Sequence, residues 1–165
     1  EVFSIFTEDI ISKQNYGIDG CSASQYAFLI EKLGKALSNL LLSYNGNFEY
    51  SANIQIMINA ILDNPTFIGG SKNLDSNLIK ISNRNIFCKG GAEGVFLFVH
   101  LKKEIFGILK VKDGNERALS SAMYTLLKKF KILTREELNQ FNSWNTGSMY
   151  NHAKIRIGSI STKIE

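Results

Sequence analysis

The chain has 165 residues, 44% of them hydrophobic, which is enough for one domain with a substantial core. Its formal net charge is +4, and its lysines and arginines are scattered without interleaved aromatic residues, so we expect no nucleic-acid partner. The apolar runs are too short to cross a bilayer, the N-terminus shows no signal-peptide pattern, and two cysteines cannot form a disulfide framework. These features predict no membrane partner and a cytoplasmic location.

Helical periodicity dominates the first half of the chain. Apolar positions recur at the spacing of amphipathic helices over residues 1–13, 24–43, 52–63 and 74–81. The third of these segments carries so many apolar positions that we predict burial on most sides of the helix. Between the first two helices, residues 15–19 are predicted to be strand-like and Gly20-Cys21-Ser22 to form a turn.

Strand signals become prominent in the second half. Residues 95–101 and 104–112 are rich in β-formers and separated by two lysines, which predicts an antiparallel hairpin. A helix is predicted over residues 118–130, and Thr134-Arg135-Glu136-Glu137 has the capping-box pattern of a helix start. A final strand is predicted at residues 155–157. Helices followed by a hairpin, a helix and a strand predict an α+β fold, with helices packed on an antiparallel sheet.

The most unusual stretch is Phe-Cys-Lys-Gly-Gly-Ala-Glu-Gly at residues 87–94. Three glycines within five residues weaken a strand interior but suit a turn, or a place where the backbone approaches a ligand. Lys89 could present its ammonium to such a space, and Glu93 could orient Lys89. An ordinary Gly-rich turn with solvated Lys and Glu explains the same pattern.

Cysteine at position 21 allows two interpretations. As a thiolate it is a soft ligand that can hold zinc, although one cysteine alone does not make a metal site. As a free thiol it would be a small buried apolar residue, since free cysteine is among the most buried residue types.

Several segments taken together resemble the C-terminal half of the L-asparaginase II family. In chain order they are residues 17–21 (Gly-Ile-Asp-Gly-Cys), Asn64-Pro65 leading to Gly69-Gly70 and Asp75, residues 89–94 (Lys-Gly-Gly-Ala-Glu-Gly), Lys112-Asp113-Gly114 with Arg117-Ala118, and Asn151 leading to Gly158. The resemblance extends over about residues 1 to 160. The first segment and the Lys-Gly-Gly-Ala-Glu-Gly segment are its specific parts.

The resemblance implies hydrolysis of L-asparagine to L-aspartate and ammonia, on a fold similar to serine β-lactamases and glutaminases. In that family a Ser-x-x-Lys pair supplies the nucleophile and its base, and a second Ser and a second Lys complete the proton-transfer set. Lys89 matches the second Lys, and Gly90, Gly91 and Glu93 would lie beside the substrate. Cys21 matches one of two cysteines that, with a lysine, bind zinc, and Asp19 matches an acidic residue close to that metal.

Two family segments do not occur in the chain: Ser-x-x-Lys, and the Cys-Ser-Gly-Lys-His that carries the other zinc ligands. We therefore expect residues 1–165 to be a single domain, the C-terminal portion of an asparaginase II-like protein, and to be inactive alone. A separately encoded N-terminal half is the expected partner. An exposed apolar patch where that half would pack is also expected, with possible homo-oligomer formation.

Two alternatives stay open. The chain could be a non-catalytic binding module or a vestigial pseudoenzyme. It could also be a generic α+β domain unrelated to the family. A large separation between Lys89 and Cys21 would favour this alternative, because the family interpretation requires both residues to border one cleft.

Overall fold

The computed structural model describes residues 1–145 and 147–164, and it shows an α+β fold, as predicted. The helices are α1 (Val2–Thr7), α2 (Ile30–Tyr44), α3 (Ser51–Asp63), α4 (Thr66–Gly69), α5 (Leu74–Ile81), α6 (Leu119–Lys129) and α7 (Arg135–Gln140). The strands are β1 (Tyr16–Ile18), β2 (Ser24–Tyr26), β3 (Ile86–Gly91), β4 (Val95–His100), β5 (Ile105–Lys110), β6 (Gly147–Tyr150) and β7 (Arg156–Ile160). They form three small antiparallel sheets, β1–β2, β3–β4–β5 and β6–β7.

The three-stranded sheet is the centre of the fold. Its β4–β5 hairpin confirms the prediction for residues 95–112, and β3 pairs with the other edge of β4. Apolar residues of β3 and β4 are buried because helices cover the sheet, with α5 against β3 and α2 against β5. The sheet and its helices share one cluster of buried side chains, which includes Ile58, Leu78, Phe96, Phe98 and Met123.

Two predicted helices are shorter than expected. Helix α1 ends at Thr7 because Glu8 adopts a left-handed conformation with φ 48°, so the prediction of a helix to residue 13 is wrong. Helix α2 begins at Ile30 rather than at residue 24. Residues 24–26 instead form β2, which pairs with β1 around the turn that contains Cys21.

The prediction that the third helix is buried on most sides is also wrong. Only Ile58 and Leu62 of α3 are buried, and Ile56 is 71% exposed. Large apolar side chains are exposed elsewhere as well, including Ile10 and Phe67. The apolar residues of α3 therefore exceed the contact surface that α2 and β3 offer in this structure.

Helix α7 has the predicted capping box. The Glu137 amide donates to Thr134 Oγ1 (3.2 Å), and the Thr134 amide donates to Glu137 Oε2 (2.7 Å). Thr134→Ala is expected to destabilise the chain by about 1 kcal/mol, because it removes the acceptor for one N-terminal amide of the helix. Urea denaturation measures this loss. Thr134→Ser keeps the hydroxyl and should retain nearly full stability, so an equal loss in both variants would contradict the capping role.

The C-terminal strand is confirmed, with a partner that the sequence pattern did not predict. Strand β7 covers the predicted segment from Arg156 onwards and continues to Ile160. It pairs with β6, and the pairing has an irregularity between Met149 and Tyr150. Gly147, at the start of β6, lies close to the Arg117 carbonyl, so this ribbon packs beside the segment that leads into α6.

Candidate functional site

A cleft of about 730 Å³ lies at the end of β3, between α4 and α5 on one side and the start of α6 on the other. Its wall contains both charged and aromatic side chains. The lining residues are Phe67, Ile68, Gly69, Lys72, Asn73, Leu74, Asp75, Lys89, Gly90, Gly91, Ala92, Phe96, Glu116, Leu119, Ser120 and Trp144. Lys89, Gly90 and Gly91, which the sequence analysis singled out, therefore share one concave surface.

Lys89 is the fourth of the six residues of β3 and lines this cleft. In the ladder it stands opposite Leu97, and its side chain is half-exposed. The ammonium lies 3.8 Å from Asp75 Oδ2 and also donates to the Gly90 carbonyl. The cleft thus holds a fixed positive charge beside an accessible backbone.

Asp75 is the acidic partner that sequence reasoning did not assign to the site. It is 4% exposed and lies in the first turn of α5. Its Oδ1 accepts the Ser76 amide (2.8 Å) and its Oδ2 accepts the Gly90 amide (3.4 Å). Asp75 stands in one of the segments that resemble the family, and this was the one sign in the sequence that it belongs to the site. Nothing in the local pattern showed that α5 would place it beside β3.

The Gly-rich stretch divides into a strand and a turn. Gly90 and Gly91 continue β3, and the reversal occurs at Ala92-Glu93-Gly94. Gly94 has φ +65°, and an added Cβ would lie 2.7 Å from the Val111 side chain, so this position requires glycine. Glu93 does not line the cleft; its carboxylate lies against Gly114 instead.

The opposite wall was not predicted. Glu116, Leu119 and Ser120 line the cleft where the chain enters α6, and Trp144 lines it as well. Ser120 places a half-buried hydroxyl in the cleft that contains Lys89. Sequence patterns marked this segment only as the start of a helix, because the approach of α6 to β3 depends on tertiary packing.

Asp19 and Cys21 lie together in the β1–β2 turn. Asp19 Oδ1 accepts the Cys21 amide (2.8 Å) and the Ala23 amide (2.9 Å), and Oδ2 accepts the Gln25 side-chain amide (2.9 Å). Neither residue lines the cleft around Lys89. Residues 1–145 and 147–164 therefore do not by themselves bring Cys21 and Lys89 into one cleft.

A zinc site does not form from the described part of the chain. No group of three or more His, Cys, Asp or Glu side chains there is arranged to hold a metal ion. The Asp19 carboxylate is already committed to the turn, and Cys21 offers a single thiol. Because zinc sites need at least three protein ligands, these residues do not fit the ion without ligands from elsewhere.

The carboxylate of Asp19 gives the β1–β2 turn a pH dependence. Hydrogen bonds from the Ala23 and Cys21 amides lower the pKa of Asp19 below its ordinary value. A lowered folded-state pKa stabilises the turn above the unfolded pKa, about 3.9, and this stability is lost as the pH falls through the folded value. We expect the two amide proton shifts, followed by NMR, to change only in acid below the ordinary aspartate range. Titration at or above pH 4 would contradict the assignment.

The two cysteines differ in accessibility. Cys21 is exposed, so the expectation of a buried free thiol is wrong for it, whereas Cys88 is fully buried in β3. Burial raises the pKa of the Cys88 thiol well above its ordinary value, and the nearby Asp75 charge adds to this effect. An aromatic disulfide reagent should therefore modify one thiol in the native chain and the second only in denaturant. Cys21→Ser should abolish the native reaction; a native reaction that survives this change would contradict the burial of Cys88.

Comparison with protein families gives a match over nearly the whole chain. A family model described as L-asparaginase II matches residues 1–162, nearly the whole chain. A search of curated proteins finds no match. Within residues 1–145 and 147–164, no helix combines the length and apolar character that a bilayer span requires.

Proposed function

Because the chain belongs to the L-asparaginase II family, we propose that its cleft binds L-asparagine and contributes Lys89 to the hydrolysis of the side-chain amide. The family match supports asparagine as the substrate. The observation that carries the residue assignment is the position of the Lys89 ammonium in the cleft, next to the backbone of Gly90 and Gly91. The whole chain, residues 1–165, acts as one domain in this proposal.

Lys89 has a role that its surroundings support. Attack on an amide carbonyl places negative charge on the oxygen, and a fixed positive charge in a cleft stabilises it. The Lys89 ammonium is held by Asp75, so it can supply this charge without rearranging. The glycines at positions 90 and 91 leave room for the substrate to approach the strand, because neither carries a side chain into the cleft.

In our proposal, a polypeptide segment outside these 165 residues supplies the nucleophile. No serine in the chain is followed by lysine three positions later, and amide hydrolysis by this family's chemistry needs a serine with an adjacent base. We therefore propose that the chain alone does not release ammonia and that a second polypeptide segment completes the site. Zinc binding at Cys21 would depend on ligands from the same segment, and no step is assigned to zinc here.

An ammonia-release assay tests this proposal directly. The purified chain is incubated with L-asparagine and zinc, alone and with a polypeptide that carries the Ser-x-x-Lys and Cys-Ser-Gly-Lys-His segments. Ammonia should appear only in the mixture. Release by the chain alone, abolished by Lys89→Ala, would overturn the external nucleophile and point to Ser120, the hydroxyl that shares the cleft.

A non-catalytic binding module is the second candidate. It is favoured by the composition of the cleft, whose lining includes the basic Lys72 and Lys89 and the acidic Glu116. Such a cleft offers charges of both signs to an amino acid. Calorimetric binding of L-asparagine or L-aspartate to the chain, with no ammonia release even in the mixture, would select this function over the hydrolase.

A further inference from the structure

We propose that Asp75 is a positioning residue, whose buried carboxylate holds the Lys89 ammonium at the wall of the cleft. This inference rests on the proposed function, because it takes from it the role of Lys89 in hydrolysis. Its structural content, that one residue fixes the other, can be tested without any activity. Asp75 is not placed in contact with substrate.

One oxygen of Asp75 connects helix α5 to strand β3. Oδ2 lies 3.8 Å from Lys89 Nζ and accepts the Gly90 amide at 3.4 Å. The same oxygen therefore contacts the side chain of one strand residue and the backbone of the next. The other oxygen accepts the Ser76 amide, which holds the carboxylate at the start of α5. The Lys89 ammonium also donates to the Gly90 carbonyl, so it lies between the Asp75 carboxylate and the strand backbone.

The Asp75 carboxylate packs closely against Gly69, the last residue of α4. A Cβ added at Gly69 would overlap the Asp75 carboxylate, and one added at Gly90 would lie 3.7 Å from Oδ2. The Asp75 side chain is 6% exposed, whereas that of Lys89 is 47% exposed. Both residues line the cleft, but Asp75 is the buried partner and Lys89 is the accessible one. Charge buried in this way requires partners, which the two amides and the ammonium provide.

A purely structural role for Asp75 predicts a different outcome from a positioning role. Asn is nearly isosteric with Asp, but it has one acceptor oxygen where Asp75 uses two, so it can accept from the Gly90 amide or from the Ser76 amide but not from both, and it carries no charge to hold an ammonium. Asp75→Asn therefore removes the attraction to Lys89 together with one of the two amide hydrogen bonds. A positioning role moves the Lys89 ammonium in this variant, whereas a purely structural role lowers stability and leaves the environment of the ammonium unchanged.

The experiment follows the lysine side chain by NMR. Lysines of the full chain are labelled by reductive ¹³C-methylation, which keeps their charge, and the Lys89 signal is assigned by its absence in Lys89→Arg. In the wild-type chain this signal should lie apart from those of exposed lysines. In Asp75→Asn it should move to their position while the chain remains folded. An unmoved signal in a folded Asp75→Asn chain would overturn the proposal.

A second variant keeps the test decisive if Asp75→Asn does not fold. Gly69→Ala leaves the Asp75 charge in place but forces its carboxylate to shift, so the Lys89 signal should move from its wild-type position. Gly34→Ala is the control, because a side chain added there meets nothing within 4 Å. A Lys89 signal that is identical in Gly69→Ala and Gly34→Ala would also overturn the proposal.

Failure of the positioning role and failure of the proposed function give different results. If the Lys89 signal follows Asp75 but Lys89→Ala leaves ammonia release in the mixture intact, the hydrolase role of Lys89 fails and the positioning stands. If Lys89 is essential for ammonia release but its signal ignores Asp75, the positioning fails and the function stands.

Discussion

Lys89→Ala is expected to lower ammonia release by about 10²–10³-fold in the mixture of the chain with the nucleophile-bearing polypeptide. The reason is the position of the Lys89 ammonium in the cleft, where it would face negative charge that develops on the amide oxygen. The loss should appear mainly in kcat, because the charge develops in the transition state and not in bound asparagine. Steady-state kinetics with L-asparagine measure both parameters.

Lys102→Ala is the matched control. Lys102 is exposed in the turn between β4 and β5, on the same sheet but outside the cleft, so its removal should leave kcat and KM unchanged. A loss of less than about threefold in Lys89→Ala, or an equal loss in the control, would contradict the assignment of Lys89.

Lys89→Arg separates two roles for the same residue. Arginine keeps a positive charge but does not act as a base in proteins, because it remains protonated. Substantial residual activity in Lys89→Arg would support charge stabilisation, the role that the ion pair with Asp75 favours. Complete loss in Lys89→Arg, with correct folding, would instead indicate that Lys89 must accept a proton during the reaction.

Elements with strong local signals were predictable. Helix α5 occupies the predicted residues 74–81, and α7 begins directly after its N-cap Thr134, because a capping box is a local hydrogen-bond pattern. The β4–β5 hairpin was equally clear, since two short runs of β-formers flank a brief polar connection. In each case the residues that determine the structure are neighbours in sequence.

Elements decided by distant partners were not predictable. Ser24–Tyr26 has helical periodicity on its own, but Asp19 binds Gln25 and the ring of Phe3 lies 5.3 Å from that of Tyr26, so the segment pairs with β1. The prediction that α3 is buried on most sides failed for a related reason. Periodicity counts apolar residues, but only packing determines which of them find a neighbour, and Ile56 finds none that covers it.

The residues of the candidate site also divide into those with a local sequence signal and those placed by distant packing. Lys89 and its two glycines were predicted because they stand together in one unusual stretch. Asp75 and Ser120 were missed because they reach the cleft on two different helices, whose docking onto β3 leaves no mark in the local sequence. Cys21 and Asp19 carried a recognisable pattern too, yet that pattern serves the β1–β2 turn within this structure.

Phe96→Ala is expected to cost about 3–5 kcal/mol of the free energy of unfolding. Phe96 is 1% exposed in the central strand β4, and its ring lies under Gly90, where an added Cβ would be 3.6 Å away. Truncation leaves a cavity beneath the strand that carries Lys89. Because domains have only about 5–15 kcal/mol of stability, the melting temperature should fall by on the order of 10 °C.

Phe67→Ala is the control for this prediction, since Phe67 lines the same cleft but is 89% exposed. Its removal should change stability by no more than about 0.5 kcal/mol, because an exposed ring loses little contact. If both variants lose the same stability, the ring of Phe96 does not support the cleft as the structure indicates. If only Phe96→Ala is destabilised, and the Lys89 NMR signal broadens or shifts with it, then the packing under Gly90 also fixes the ammonium. Asp75 would then hold the Lys89 side chain from α5, and Phe96 would support strand β3 by packing at Gly90.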